Sequence, residues 1–311
     1  MNAGFSPEEP CLIGVSGGRD SVALLHQLHA AGFRKLIVCH LDHALRAGSD
    51  EEGRFVETFA AKLGLEFVRQ REDITALAKR RKKSLETVAR EARYSFFAHV
   101  AREHECPRLF LAHHADDQVE TLLFNLFRGA GANGLAGMSP MSVRKVDGVS
   151  LQISRPLLGT WREEIDAYIA MHQLAFIEDA SNADRKFTRN RLRHEIVPAL
   201  EQAFGREIRR AIWRSAEILR AEDELLADLL GDTPPELNVP ALAAEPVAVQ
   251  RRRLHVWLKL HSVPDVGFLE VETVRSLLNG GPAKANLPGG WHARRRARRL
   301  FLEPPHDGLS D

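Results

Sequence analysis

Residues 12–21 read LIGVSGGRDS. Leu12, Ile13 and Val15 form a short apolar run, Ser16-Gly17-Gly18-Arg19-Asp20-Ser21 follow, and a helix-like segment continues from Val22 to Ala31. A strand, a glycine loop and a helix in that order present free backbone N–H groups to a phosphate. Glycine permits close approach, and the helix start adds about half a positive charge. Ser16 and Ser21 add hydroxyl donors. Asp20 suits such a site if it holds Mg²⁺ or acts as a base. No G-x-x-x-x-G-K-[ST] occurs, so this is not a Walker A loop.

Outward from this stretch, residues 11–127 alternate strand and helix signals. Cys11–Val15 and Leu36–Cys39 are apolar runs, the second ending at His40. Ser49 with Glu52 reads as a capping box opening a helix. Leu65–Val68 is a weaker strand, and Ser84 to Glu103 is helical with Leu85, Val88, Ala92 and Phe96 on one face. Leu109–Ala112 is a strand ending at His113. Asp117 with Glu120 reads as a second capping box, starting a helix through Phe127. This alternation predicts an α/β fold with a doubly wound parallel sheet covered on both faces, and ligands at the carboxyl ends of its strands. Three such ends carry chemistry: Ser16–Ser21, His40–His43 and His113–Asp117.

Residues 128–140, RGAGANGLAGMSP, read as a mobile glycine-rich loop over the site. Within it Gly129-x-Gly131-x-x-Gly134 matches the dinucleotide fingerprint but follows a helix, not a strand, and so lacks the required context. A strand over 149–158, a helix capped by Thr160 and Glu163, and an amphipathic helix over Arg206–Leu230 follow. Helices near 247–260 and 269–278 lead to a hairpin placed at Gly289-Gly290. The expected boundary puts a catalytic domain at 1–205, with a helical extension and a small C-terminal domain at 206–311.

The chain has 43 Lys and Arg against 42 Asp and Glu, so its net charge of +1 gives no global argument for nucleic acid. The charge is locally concentrated, however. Lys79–Lys83, Arg185-Lys186, Arg189–His194 and Arg294–Arg299 are basic clusters of the kind that meet a phosphate backbone. Cys11, Cys39 and Cys106 are scattered, with no C-x-x-C pair, which fits a reducing cytoplasm and argues against a disulfide scaffold or a Cys-type zinc site. The opening MNAGFSPEEP lacks the features of a signal peptide, and no apolar run approaches the roughly 20 residues of a membrane helix.

His40-Leu41-Asp42-His43 and His113-His114-Ala115-Asp116-Asp117 admit two readings. One is a metal-dependent phosphohydrolase, which would leave the glycine loop without a task. The other is a nucleotide site, with Mg²⁺ held by one or two carboxylates and by phosphates. On the 84–103 helix, Glu86, Arg90 and Arg93 share a face.

SGGRDS resembles the PP-loop of the ATP pyrophosphatases, whose fold is of the adenine nucleotide α-hydrolase type. Over roughly the first 200 residues the chain is similar to the tRNA(Ile)-lysidine synthase family. The match is carried by SGGRDS (16–21), HLDHALR (40–46), ETVAREARY (86–94), HHADDQVET (113–121) and RGAGANGLAGM (128–138), then RPLL (155–158), EDASN (178–182) and TRNRLRHEIVP (188–198). The last third resembles the family's small tRNA-binding region more loosely, and the chain looks too short for the further C-terminal domain of longer members. Lys83 stands where the family pattern leads one to expect glycine.

The resemblance implies a ligase that uses ATP and Mg²⁺. O2 of the wobble cytidine in a CAU-anticodon tRNA(Ile) attacks the α-phosphate, and pyrophosphate leaves. The ε-amine of free L-lysine then displaces AMP at C2, forming lysidine. It further implies ATP binding by Ser16, Gly17, Gly18, Arg19, Asp20, Ser21, His40 and His113. Asp20 and Asp117 are expected to hold Mg²⁺ or accept a proton, Arg93 to stabilise charge, and Arg189, Arg191 and Arg193 to contact the tRNA or the intermediate. A cytoplasmic protein without a membrane partner is expected, and a homodimer is admitted. The rival within the same superfamily is a tRNA thiolase, which commonly needs paired cysteines.

Overall fold

The computed structural model describes residues 3–44, 49–178 and 188–305, with the backbone only for Ser49, Thr188 and Arg189. The elements run β1 (Cys11–Gly14), α1 (Arg19–Ala30), β2 (Leu36–Asp42), α2 (Ser49–Lys62), β3 (Glu66–Arg71), α3 (Ile74–Arg81), α4 (Leu85–Glu103), β4 (Arg108–Phe110) and α5 (Ala115–Phe127). After these come α6 (Ala132–Leu135), β5 (Met141–Val146), β6 (Val149–Ser154), α7 (Arg162–Met171) and α8 (Thr188–Arg191), which passes through a π-helical turn at Leu192–Ile196 into α9 (Val197–Phe204). The chain then continues through α10 (Ile208–Leu230), β7 (Leu237–Asn238), α11 (Val239–Ala244), α12 (Val247–Leu260), α13 (Phe268–Arg275), β8 (Lys284–Asn286), β9 (His292–Arg296) and β10 (Arg299–Glu303).

The first six strands form one sheet in the order β3-β2-β1-β4-β6-β5. All neighbours are parallel except the edge hairpin β5–β6. The chain steps outward from β1 through β2 to β3, then crosses back to lay β4 on the other side of β1. A crevice therefore opens at the carboxyl ends of β1 and β4, where a doubly wound sheet takes its ligand. Both faces are covered, which is why the strands are apolar without alternation. Ile13 packs with Leu24, Leu28 and Phe110 on one face, while its neighbour Leu12 packs with Phe97, Leu109 and Ile153 on the other. Full burial of each such side chain contributes about 1.5–3 kcal/mol.

The parallel sheet and its crossovers follow the sequence reading, and four local features depart from it. Helix α5 starts at Ala115, so Asp117 lies in its first turn and is not the N-cap; its Oδ2 accepts from His114 N at 3.0 Å, closing the helix start from within. Helix α7 is capped one residue later than expected, with Glu164 Oε2 accepting from Trp161 N at 2.7 Å. Strand β5 was not anticipated: MSVRKV is a polar edge strand with alternating exposure, and only its pairing to β6 identifies it. The hairpin expected at Gly289-Gly290 is present, joining β8 to β9 with Asn286 opposite His292, but a second, unanticipated hairpin turns at Ala297-Arg298 between β9 and β10, both at positive φ (49° and 64°). The capping role expected of Ser49 concerns a side chain outside the described residues.

Two compact units are present: Met1–Thr121 with Met138–Arg214, and Leu122–Gly137 with Ser215–Asp311. The expected boundary near 205 falls inside the first unit. In the second, an antiparallel sheet ordered β7-β10-β9-β8 packs on α12 and α13 around Leu254, Trp257, Leu258, Val274, Leu277 and Leu300. Trp257 is fully buried, and its indole N–H donates to Pro235 O at 2.7 Å, as a buried tryptophan requires.

Candidate active site

The loop between β1 and α1 is held open by its own serines. Ser21 Oγ donates to Gly18 O at 2.8 Å and accepts from Ser16 N at 3.2 Å. Ser16 Oγ accepts from Gly18 N at 3.2 Å. Gly17 has φ +92°, a conformation L side chains rarely adopt, and its carbonyl accepts from Ile177 N at 3.0 Å. Gly18 is the N-cap of α1 and supplies no side-chain cap, so the first N–H groups of the helix keep their capacity for an anion.

Beside this loop three carboxylates converge on one buried imidazole. His114 is 2 % exposed. Its Nε2 lies 3.8 Å from Asp20 and 3.5 Å from Asp117, and its Nδ1 lies 3.4 Å from Asp116. Burial alone would push the imidazolium down, but the three acids outweigh it and raise the pKa. The acids are themselves held by arginines from distant segments. Arg162 Nη1 spans both Asp20 oxygens at 3.0 and 2.9 Å, while its backbone N–H donates to Asp116 Oδ2 at 3.1 Å. Arg209 Nη1 reaches Asp116 at 3.1 Å. Arg193 donates Nη2 to Asp117 at 2.9 Å and Nε to Glu120 at 2.5 Å.

These environments separate the acids. Burial raises Asp116, yet His114, the Arg162 N–H and Arg209 bring it to about 2. Asp117 is likewise lowered, with His114, His113 and Arg193 overcoming burial. Asp20 is raised by burial, which His114 and Arg162 only partly offset and the Asp117 charge reinforces. Glu120 is buried beside Asp117 and is pushed up to about 7 against the pull of Arg193. A carboxyl that titrates near neutrality next to one that stays ionised is the pattern that divides acid and base roles. Glu120, Arg162 and Arg209 were not read as site residues from the sequence. Glu120 was taken for a capping partner, and nothing local marks either arginine.

The other expected residues are placed as follows. His40 is buried, its Nδ1 lies 2.9 Å from Val15 O, and burial keeps its pKa down. His113 is held at about 4 by burial, with Arg155, Arg93 and Arg90 adding to the effect against the opposing pull of Asp117, so it is neutral at pH 7. Arg19 leaves the loop for Asp166 at 2.6 Å and lies over the Phe176 ring at 4.7 Å. Arg191 is exposed, 3.9 Å from Glu195. The Arg189 side chain and residues 185–186 lie outside the described residues. Among the described residues, no group of three His, Cys, Asp or Glu side chains is placed to hold a metal ion, and no helix is long and apolar enough to cross a membrane.

The basic clusters divide between structure and surface. Arg81 and Lys83 both pair with Glu91, at 3.0 and 2.6 Å. Lys82 takes the left-handed C-cap of α3 (φ 53°), one residue before the position where glycine was expected. Arg294 pairs with Glu303 at 2.6 Å and Arg299 with Glu236. Arg295 turns inward to Leu277 O and Gly281 O, while Arg296 and Arg298 are exposed.

A PP-loop domain model matches residues 2–200, and a TilS substrate binding domain model matches residues 237–301. The chain is 39% identical to a tRNA(Ile)-lysidine synthase of Geobacter sulfurreducens, over 91% of this chain and 63% of that protein. It is 39% identical to one of Thermus thermophilus, over 98% of this chain and 59% of that protein. The chain thus spans about three-fifths of the length of these two relatives. A tRNA(Ile)-lysidine synthase of Thermosynechococcus vestitus is 35% identical over 94% of this chain and 86% of its own length. Among solved structures, the U34-tRNA thiolase NcsA of Methanococcus maripaludis superposes with a TM-score of 0.52 at 17% identity, over 69% of this chain and 72% of that one, a likeness of fold alone. A PP-loop nucleotide loop, an acidic cluster at the switch point of the sheet and these relatives agree: the chain belongs to the tRNA(Ile)-lysidine synthase family.

Proposed function

We propose that this protein uses ATP to join free L-lysine to C2 of the wobble cytidine of a CAU-anticodon tRNA(Ile), giving lysidine, AMP and pyrophosphate. The observation that carries the reading is the convergence of Asp20, Asp116 and Asp117 on His114 at the mouth of the PP-loop, with Glu120 beside them at a pKa of about 7. The catalytic domain is assigned to residues 1–205, and the helical linker and tRNA-binding region to 206–311.

In the first step, O2 of the cytidine bonds to the α-phosphorus as the bond to the β,γ-pyrophosphate breaks. Ser16, Gly17, Gly18 and Ser21 form the loop that cradles the departing pyrophosphate, and the uncapped start of α1 supplies N–H donors and its positive end. Asp20 and Asp117 are hard oxygen donors near one imidazole, a donor set that fits Mg²⁺ sharing its coordination with phosphates. Mg²⁺ there would neutralise charge on the phosphates. Arg93 and Arg193 offset negative charge on the adenylate. The cytidine leaves its stack at low cost because it sits in a single-stranded loop.

In the second step, the lysine ε-amine must lose a proton, since its ordinary pKa is about 10.4. Glu120 is suited to take it, being ionised just above neutrality and aimed at Arg193. The nitrogen bonds to C2, the C2–O bond breaks, and AMP leaves. The thiolase alternative is weakened by the cysteines: all three are buried, and burial pushes the Cys11 thiol up to about 12. The test is pyrophosphate release from ATP with and without a CAU-anticodon tRNA(Ile) transcript. Release that requires the transcript supports the reading, and release indifferent to RNA refutes it.

A further inference from the structure

The glycine-rich segment after α5 is fastened at Asn133 by a buried polar centre inside the compact unit of Leu122–Gly137 and Ser215–Asp311. Asp223, on α10, is 9 % exposed. Its Oδ2 accepts from Asn133 Nδ2, on α6, at 2.9 Å. Both of its oxygens are also taken by Arg252 of α12, through Nη1 to Oδ1 and through Nη2 to Oδ2 at 3.1 Å. A buried carboxylate needs a counter-charge, and the two-point Arg252 contact supplies it. The Asn133 bond is therefore not required for neutrality; what it does is fix α6 to α10. A four-residue helix has no stability of its own, and α6 keeps its place through Asn133 and through Gly134 O, which accepts from Asn125 Nδ2 at 2.7 Å.

The same segment ends on α5. Gln118 is fully buried, donates Nε2 to Met138 O at 3.0 Å and accepts from Met138 N at 2.8 Å. Its sequence neighbours on that helix are Asp117 and, two residues on, Glu120. One covalently continuous stretch thus starts at the proposed proton acceptor, is pinned in its middle to α10 and α12, and returns to the helix turn that carries the acids.

We infer that Asn133, Asp223 and Arg252 form a positioning clamp that makes the glycine-rich segment part of the C-terminal RNA-binding unit, so that RNA held by that unit sets the stance of Asp117 and Glu120. This rests on the function proposed above. An element that can be seated or released is the physical requirement for such coupling. Asn133 touches no reacting group; its effect passes through Asp223.

The test uses the full chain and a CAU-anticodon tRNA(Ile) transcript, with three variants. Asn133→Asp sets a like charge against Asp223. Asn133→Ala removes only the anchor, on an exposed residue whose loss leaves the core intact. The exchange Asn133→Asp with Asp223→Asn rebuilds the hydrogen bond in reverse, with the donor on α10 and the acceptor on α6. Amide hydrogen exchange over 131–136 is read without RNA, then transcript affinity and the rate of pyrophosphate release. Asn133→Asp is expected to speed exchange about tenfold and to slow release about tenfold, with transcript affinity within about twofold; Asn133→Ala follows more weakly and the reciprocal exchange restores both. Unchanged exchange in Asn133→Asp, an unchanged release rate with a freed segment, or a reciprocal variant that recovers exchange but not rate would each overturn the clamp. If the wild-type chain releases no pyrophosphate with the transcript, the proposed function fails instead; exchange measured without RNA keeps the two failures distinct.

Discussion

The Arg193 guanidinium lies 2.9 Å from the Asp117 carboxylate, although 76 residues separate them in the chain. Its Nε holds Glu120 at the same time. One cation thus keeps two neighbouring acids compatible in a largely buried place. Arg193→Ala leaves both without that partner. Pyrophosphate release is expected to fall about 100-fold, and urea unfolding to show a loss of about 2 kcal/mol. Arg193→Lys should recover only part of each, because an ammonium cannot serve two acids from a planar fork. Equal activity in Arg193→Ala would remove Arg193 from the site.

Glu120 sets a pH dependence with a definite sign. Its pKa rises from 4.5 to about 7 on folding. Between those values the folded chain holds a proton that the unfolded chain has lost, so this group's contribution to stability falls as pH rises through the window and is flat above it. The rate of lysine attachment should move the other way, rising through about pH 7 as the carboxylate forms. Glu120→Gln should flatten both curves. The checks are melting temperature across pH 5–8 and single-turnover attachment from a preformed adenylate. A Gln variant that keeps the wild-type rate profile would place the proton acceptor elsewhere.

Gly17 is the loop position least tolerant of a side chain. At φ +92° an added Cβ is strained, and it would also meet Val56 Cγ2 at 3.4 Å. Gly17→Ala should destabilise the fold by about 1–2 kcal/mol and weaken ATP binding. Gly18, at an ordinary φ of −73°, should accept alanine with little loss of stability while still losing nucleotide affinity. Calorimetric ATP binding alongside thermal melting separates the two effects. Equal stability losses at both positions would contradict the assignment.

Lys82 occupies the left-handed position that closes α3. Glycine there should add about 1 kcal/mol of stability, since an L side chain in this conformation costs roughly that much. Lys82 lies outside the acidic cluster, so pyrophosphate release at saturating transcript should not change. A chemical-denaturation midpoint that fails to rise in Lys82→Gly would show that the side chain makes a compensating contact.

The sheet and its chemistry-bearing ends were legible because apolar runs, glycines and histidines act through neighbours in sequence. Ser16–Ser21 could be read as a phosphate loop from ten residues of context. Asp116 and Asp117 could be read as functional, but the start of α5 was misjudged because an acid in a first turn and an acid at an N-cap leave the same local signal. Arg162, Arg193 and Arg209 meet the acids only through the fold, and of these only Arg193 sat in a recognisable motif. Glu120 was visible but carried the wrong role, since its raised pKa comes from burial and from Asp117 rather than from its spacing. Strand β5 was hidden by its polar edge character, and the second C-terminal hairpin, between β9 and β10, by a turn of two residues, Ala297 and Arg298, that rarely adopt positive φ.

The most direct test of the central claim is nucleoside mass analysis of a CAU-anticodon tRNA(Ile) transcript after incubation with this protein, ATP, Mg²⁺ and lysine. The account predicts a cytidine that gains a lysine-sized increment with loss of water, present only when ATP and lysine are both supplied and absent in Asp117→Asn. An unmodified cytidine under conditions where a relative of known activity modifies the same transcript would contradict it.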